Sequence, residues 1–208
     1  VEITGGTILT TADVTGDTTV TITGDEDVTL DDILASNGNA TLTSGGVLTL
    51  NRTVNAVGDI IARGVDGIEQ EDQATLGNLR GTINITLTSD MGEIDSDATI
   101  RATTNVTVDA GGDIVTRDNI DAIAGAILID SDGSLNTPGD LGTAVPGNLT
   151  AGTSVTVNAD GDVLVDEILA NNGNVGVTGG VDVILGDDID AVGDVIVTAG
   201  GILTSNGP

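Results

Sequence analysis

Residues 174–193 read NVGVTGGVDVILGDDIDAVG, and residue 194 begins the same pattern again. With Asn174 as offset 0, apolar side chains fall at offsets 1, 3, 9, 11, 15 and 17: Val175, Val177, Val183, Leu185, Ile189 and Ala191. Gly193 closes the cycle at offset 19. Within each pair one residue intervenes, the alternation of a strand with one face turned inward. Gly, Asp and Asn lie between the pairs, and these residues turn a chain at low steric cost. Three short strands and three turns in about 20 residues describe one coil of a solenoid.

Other stretches follow the same template. NATLTSGGVLTLNRTVNAVG (39–58) places Ala40, Leu42, Leu48, Leu50, Val54, Ala56 and Gly58 at those offsets. TVTITGDEDVTLDDILASNG (19–38) gives Val20, Ile22, Val28, Leu30, Leu34, Ser36 and Gly38. SVTVNADGDVLVDEILANNG (154–173) gives Val155, Val157, Val163, Val165, Leu169, Asn171 and Gly173, and 105–125 fits with one extra residue. No segment sustains a helical period, and Thr and Val favour strands. The predicted fold is all-β: a right-handed parallel β-helix of about ten coils, with three short strands each. It forms one domain over 1–208, divided at 1–18, 19–38, 39–58, 59–81, 82–104, 105–125, 126–153, 154–173, 174–193 and 194–208. Coils 59–81 and 82–104 run slightly long, and 126–153, with Pro138 and Pro146, runs longest. Extra residues in a solenoid coil emerge as a loop on one face.

The composition suits this architecture. There is no Phe, Tyr or Trp, so the core must be filled by Val, Ile, Leu and Ala in layers of similar thickness. The net charge is −28, and all five basic residues are Arg: Arg52, Arg63, Arg80, Arg101 and Arg117. Nucleic acids and anionic membrane surfaces are therefore poor partners. No apolar run reaches the roughly 18 residues of a membrane span, so no membrane insertion is predicted. Without Cys there is neither a disulfide framework nor a thiolate metal site. The chain shows no initiator Met and no signal peptide, which predicts a mature product or an excerpt of a longer chain.

Four phrases, VTVDAGGDIV (106–115), VIVTAGGIL (195–203), ATLTSGGVLTL (40–50) and EITGGTIL (2–9), carry a resemblance. They resemble the V-x-V-T-A-G-G-x-I repeats of large secreted bacterial surface proteins of the filamentous-haemagglutinin type. The resemblance covers nearly the whole chain, most weakly at 59–104 and 126–153. It implies an extracellular, cell-surface rod used for adhesion, surface coating or biofilm matrix. It implies no catalytic residues.

The residues themselves point the same way on catalysis. Lacking His, Lys, Tyr and Cys, the chain lacks most general bases and nucleophiles, and no enzyme activity is predicted. A paired-carboxylate glycosidase remains formally open, but without an aromatic platform for sugar. No cofactor is required; Ca²⁺ is the one candidate. Its hard oxygen ligands would be Asp130, Asp132 and Asp140 in IDSDGSLNTPGD, or Asp187, Asp188 and Asp190 in GDDID, with Asp25, Glu26 and Asp27 a further group. Asp130-Ser-Asp132-Gly133 matches the start of a calcium loop, but the bidentate Glu at the twelfth position is missing. The plainer expectation is that these carboxylates solvate turns. Five sequons, at Asn39, Asn51, Asn84, Asn105 and Asn148, fit the N-glycosylation pattern, though Asn and Thr are also common turn and strand residues here. T-x-T pairs at Thr19/Thr21/Thr23, Thr41/Thr43 and Thr86/Thr88 suggest a carbohydrate- or ice-binding face, interrupted in several coils.

Both termini read as ordinary coils, and no capping helix is predicted at either. The expected partners are neighbouring coils of a longer chain or identical subunits stacked end to end, with glycans or host cell surfaces as targets. A head-to-tail filament is the alternative to a rod segment.

Overall fold

The computed structural model describes residues 1–71, 79–81, 83–137 and 147–206, with the backbone alone for 79–81. Among these residues every regular element is a strand. The strands form three parallel sheets, A, B and C, one on each side of a solenoid with three strands per coil. Sheets A and B hold ten strands and sheet C nine, so nine complete coils are followed by two strands of a tenth. The coil running from residue 39 shows the plan: Ala40–Ser44 in sheet A, Val47–Leu50 in sheet B and Val54–Ala56 in sheet C. Coils are numbered 1 to 10 from the amino terminus.

Stacking is in register. In sheet A, Ala40 pairs with Ile60, Ile60 with Ile85, Ile85 with Val106 and Val106 with Ile127. Most inward offsets thus become columns of aliphatic side chains at roughly 4.8 Å spacing. Val20, Leu42, Ile60, Ile85, Val106 and Val155 are fully buried. The strands alternate buried and accessible positions, as in Val20–Gly24 and Ile85–Ser89. Because layer sits on layer of the same cross-section, a continuous core forms without any aromatic side chain.

Two coils correct the sequence expectation. In coils 2 and 8 the inward residues of sheet C are Ile33/Ala35 and Ile168/Ala170, not Leu34/Ser36 and Leu169/Asn171. Leu34 is 39% exposed, and Ser36 and Asn171 lie in the following turn. The cause is turn length. The corner between sheets B and C holds two residues in these coils, Asp31–Asp32 and Asp166–Glu167, but three in coils 3 and 9, Asn51–Thr53 and Gly186–Asp188. The residue removed there reappears at the next corner, so the total stays the same. A one-residue shift turns every side chain of a strand to the other face, so counting from the coil start misassigns sheet C alone.

The long coils have a simple explanation. In coil 4, Gly67–Gln70 of sheet B is followed by Leu79–Gly81 of sheet C. In coil 7, Leu135–Asn136 is followed by Leu149–Ala151. Both extra segments therefore connect a strand of sheet B to a strand of sheet C, three coils apart.

Candidate functional site

At each corner the backbone leaves one sheet before entering the next, and some N–H groups lose their strand partner. Asx and Ser side chains of the coil below supply the acceptor. At the C–A corner, Asn39 Oδ1 accepts from Asp59 N (2.9 Å), Asp59 Oδ1 from Asn84 N (3.0 Å), Asn84 Oδ1 from Asn105 N (3.3 Å) and Asn105 Oδ1 from Ala126 N (3.0 Å). At the A–B corner, Asp113 Oδ1 accepts from Ser134 N, Ser134 Oγ from Asp162 N, Asp162 Oδ1 from Asp182 N and Asp182 Oδ1 from Ile202 N, at 2.7–3.1 Å. At the B–C corner, Asp32 accepts from Thr53 N and Asn119 from Asn148 N.

These ladders explain why a cycle closes with Gly. Asn39 and Asn174 each open a coil and send Oδ1 up to the backbone of residues 59 and 194. A Cβ on Gly58 or Gly193 would lie 2.0 Å from that oxygen. Asn39→Ala should cost about 1 kcal/mol by leaving the Asp59 N–H without its acceptor. Gly58→Ala should cost roughly 1–3 kcal/mol by driving the Asn39 amide aside. Both act on one bond, so the double variant should fall short of the sum by about 0.5 kcal/mol or more in urea unfolding. Strict additivity would show that the two residues do not share a bond.

The sequence-predicted metal residues are dispersed. Asp130 faces outward from sheet A and pairs in register with Asp109; Asp132 lies in the following turn. Asp187 and Asp188 occupy the B–C corner of coil 9, and Asp190 faces outward from sheet C. Asp140 lies outside the described residues. Asp27 serves the A–B corner, accepting from Val47 N (3.0 Å), while Glu26 accepts from the Thr7 hydroxyl (2.6 Å). Among the described residues no three acidic side chains converge as around a metal ion.

The sequon asparagines sit at corners. Attachment of a glycan takes the Nδ2 atom. That atom already donates to Asp31 from Asn51 (3.2 Å), to Asp59 from Asn84 (3.0 Å), to Asn84 from Asn105 (3.0 Å) and to Glu167 from Asn148 (2.6 Å). A glycan there would compete with a cross-coil bond. The T-x-T pairs Thr21/Thr23, Thr41/Thr43 and Thr86/Thr88 do face outward from sheet A, but Ile61 and Arg63 interrupt them.

Arg52, Arg63, Arg101 and Arg117 pair with carboxylates of neighbouring coils. Arg63 Nε donates to Asp90 Oδ1 (2.9 Å) and its second nitrogen to Oδ2. This hydrogen bond and the guanidinium charge hold the Asp90 carboxyl below its usual value, against a smaller opposing effect of burial. Arg117 bridges Asp95 and Asp97 of the coil below. Arg52 pairs with Asp32 (3.7 Å) and Arg101 with Asp121 (3.9 Å). Each pair ties neighbouring coils, and each is exposed enough that solvent screening leaves it a minor contribution to stability. Glu69, Gln70, Glu71, Asp95 and Asp97 line a hollow at the B–C corner, directly before the first long turn.

Among the described residues no cation pairs with Asp109. Partial burial pushes its carboxyl above the usual range, and Asp130, Asp132 and Asp90 push it further. A raised folded-state value means that protonated Asp109 favours the fold at low pH and that this contribution is lost as pH rises through that value. Asp109→Asn should therefore raise the melting temperature at pH 7, with a gain of roughly 0.2–1 kcal/mol for so accessible a group. The gain should shrink as pH falls through the raised value and vanish below 3.8, the ordinary value. Melting curves that differ equally at pH 3 and pH 7 would refute the assignment.

Sequence reasoning missed one feature. At the inward sheet B position that reads Leu30, Leu50, Val165 and Leu185, coils 4 to 7 carry Gln70, Ser96, Thr116 and Thr137, all buried. The signal was present at that offset, but the longer coils obscured the alignment. Comparison with protein-family models, with curated proteins and with solved structures found no match.

Proposed function

We propose that the chain is a rigid structural segment of an extracellular bacterial surface protein of the adhesin kind. Its sheets supply a stiff rod on the order of 45 Å long. Its B–C corner presents binding segments to glycans or cell surfaces. The observation that carries this reading is that both long segments connect sheet B to sheet C. In stacked-repeat proteins, insertions on one face commonly form the binding face. The residue types support a non-enzymatic role, since His, Lys, Tyr and Cys are missing from the chain.

The test is binding of the immobilised chain to cell surfaces and to a glycan array, with calcium and with chelator. A second version has 72–78 and 138–146 replaced by two-residue turns. The reading expects binding by the intact chain and its loss in the shortened one, with melting temperature retained. Equal binding by both, or glycan cleavage by the intact chain, would overturn it. Electron microscopy of the same samples separates isolated rods from end-to-end filaments.

A further inference from the structure

The buried polar column deserves a physical cause, because it weakens the core it occupies. Gln70 pairs in register with Ser96 and Ser96 with Thr116, and Thr137 follows one coil above. Their exposures are 3%, 0%, 1% and 1%. The Ser96 hydroxyl donates across coils to Gln70 Oε1 (2.8 Å), with the Ala98 carbonyl at 3.1 Å as its other acceptor. The Thr137 hydroxyl donates to the Leu164 carbonyl (3.1 Å). Gln70 Nε2 and Thr116 Oγ1 are buried without a hydrogen-bond partner among the described residues. An aliphatic column would have no such orphans, and the coils above and below have one.

We propose that this column is a register lock, which makes coils 4 to 7 stack in one order. Aliphatic ladders cannot tell one coil from the next. Displacing a segment by a whole coil puts Val, Ile or Leu on Val, Ile or Leu and keeps the strand alternation. The column in coils 4 to 7 is not interchangeable in this way. If coil 6 stacked on coil 4 with coil 5 excluded, Gln70 would face Thr116, and the Ser96 bond would be lost. Placing Ser96 on Leu50, where Gln70 stacks in the natural order, would remove the Ser96–Gln70 bond and leave the hydroxyl only the Ala98 carbonyl of its own coil. A polar group that lowers stability yet rejects wrong pairings is the best-attested use of buried polarity. The lock also sits where errors are easiest. The extra segments of coils 4 and 7 lengthen the loops that must close before sheet C can form, which delays correct stacking.

The experiment exploits the lack of cysteine. Ile61, Thr86 and Thr107 are outward neighbours on successive coils of sheet A. Cysteines at 61 and 86 report native stacking. Cysteines at 61 and 107 lie two coils apart, roughly 9.6 Å, beyond disulfide reach, and link only if coil 5 is skipped. Each pair is placed in the natural chain and in a chain carrying Gln70→Leu, Ser96→Ala and Thr116→Val. All four proteins are refolded from urea, oxidised and read by peptide mass spectrometry. The lock predicts a melting temperature equal to or above the natural one in the apolar chain, with a 61–107 cross-link at least five times more abundant. An unchanged 61–107 yield would overturn it. So would a lower 61–86 yield with no rise at 61–107, which would mean the column only supports stability.

Discussion

Ile85→Ala is expected to cost about 2–5 kcal/mol in chemical unfolding, the range for truncating a fully buried aliphatic side chain. Ile85 is 0% exposed and sits in its column between Ile60 and Val106. Neither neighbour can collapse into the gap, because each is fixed by its own coil and by the sheet bonds above and below. The loss should also be local. In a solenoid each coil contacts only its neighbours, so the damaged terms are the interfaces of coil 5 with coils 4 and 6. Hydrogen exchange should accelerate first in Ile60–Gly64, Ile85–Ser89 and Val106–Ala110, while Val155–Ala159 keeps its protection. Ile61, one residue along from Ile60, faces outward at 41% exposure, and Ile61→Ala should stay within about 0.5 kcal/mol of the natural chain. Similar costs for both variants would contradict the inward–outward assignment of sheet A.

Gly92→Ala should be at least as damaging, for a different reason. Gly92 lies in the A–B corner of coil 5, directly on the corner of coil 4. A Cβ there would stand 1.7 Å from the Asp66 carbonyl oxygen and 2.4 Å from its carbon. These are backbone atoms and cannot rotate away, unlike the Asn39 amide that opposes Gly58. Coils 4 and 5 must separate at this corner, which should cost about 3 kcal/mol or more. The matched control is Gly176→Ala. Gly176 faces outward from sheet A, and a Cβ there would meet nothing within 4 Å. That change should be neutral or stabilise by about 0.4–1 kcal/mol by restricting the unfolded chain. Urea midpoints of the two variants decide the matter; a mild Gly92→Ala effect would mean the corners are more loosely stacked than described.

Much of the fold was legible because inward positions repeat along the chain as they repeat in space. Val175, Val177, Val183, Leu185, Ile189 and Ala191 announce a coil, and the same offsets recur at 39–58, where all six are buried, while Ile189 and Ala191 are partly so. The failure at Ile33/Ala35 and Ile168/Ala170 was of another kind. DDILA and DEILA offer two adjacent aliphatic residues, Ile and Leu, and either can face inward. Only stacking on Val54 and on Leu149, with corners of two residues rather than three, selects the isoleucines.

The corner residues were legible as turns but not in their task. Asp27 reads as a solvated group or metal ligand, and Asp113, Asp162 and Asp182 read only as turn residues, because their partners lie some 20 residues away. Folding brings those partners to hydrogen-bond distance. The amino-acid sequence alone therefore determined the period, the three strands per coil and the aliphatic core, since all depend on alternation within a few residues. Tertiary structure alone decided which face each ambiguous strand buries, that both long segments connect sheet B to sheet C, and that Gln70, Ser96, Thr116 and Thr137 form one column. These depend on which coil lies above which, and unequal turn lengths hide that from any count along the chain.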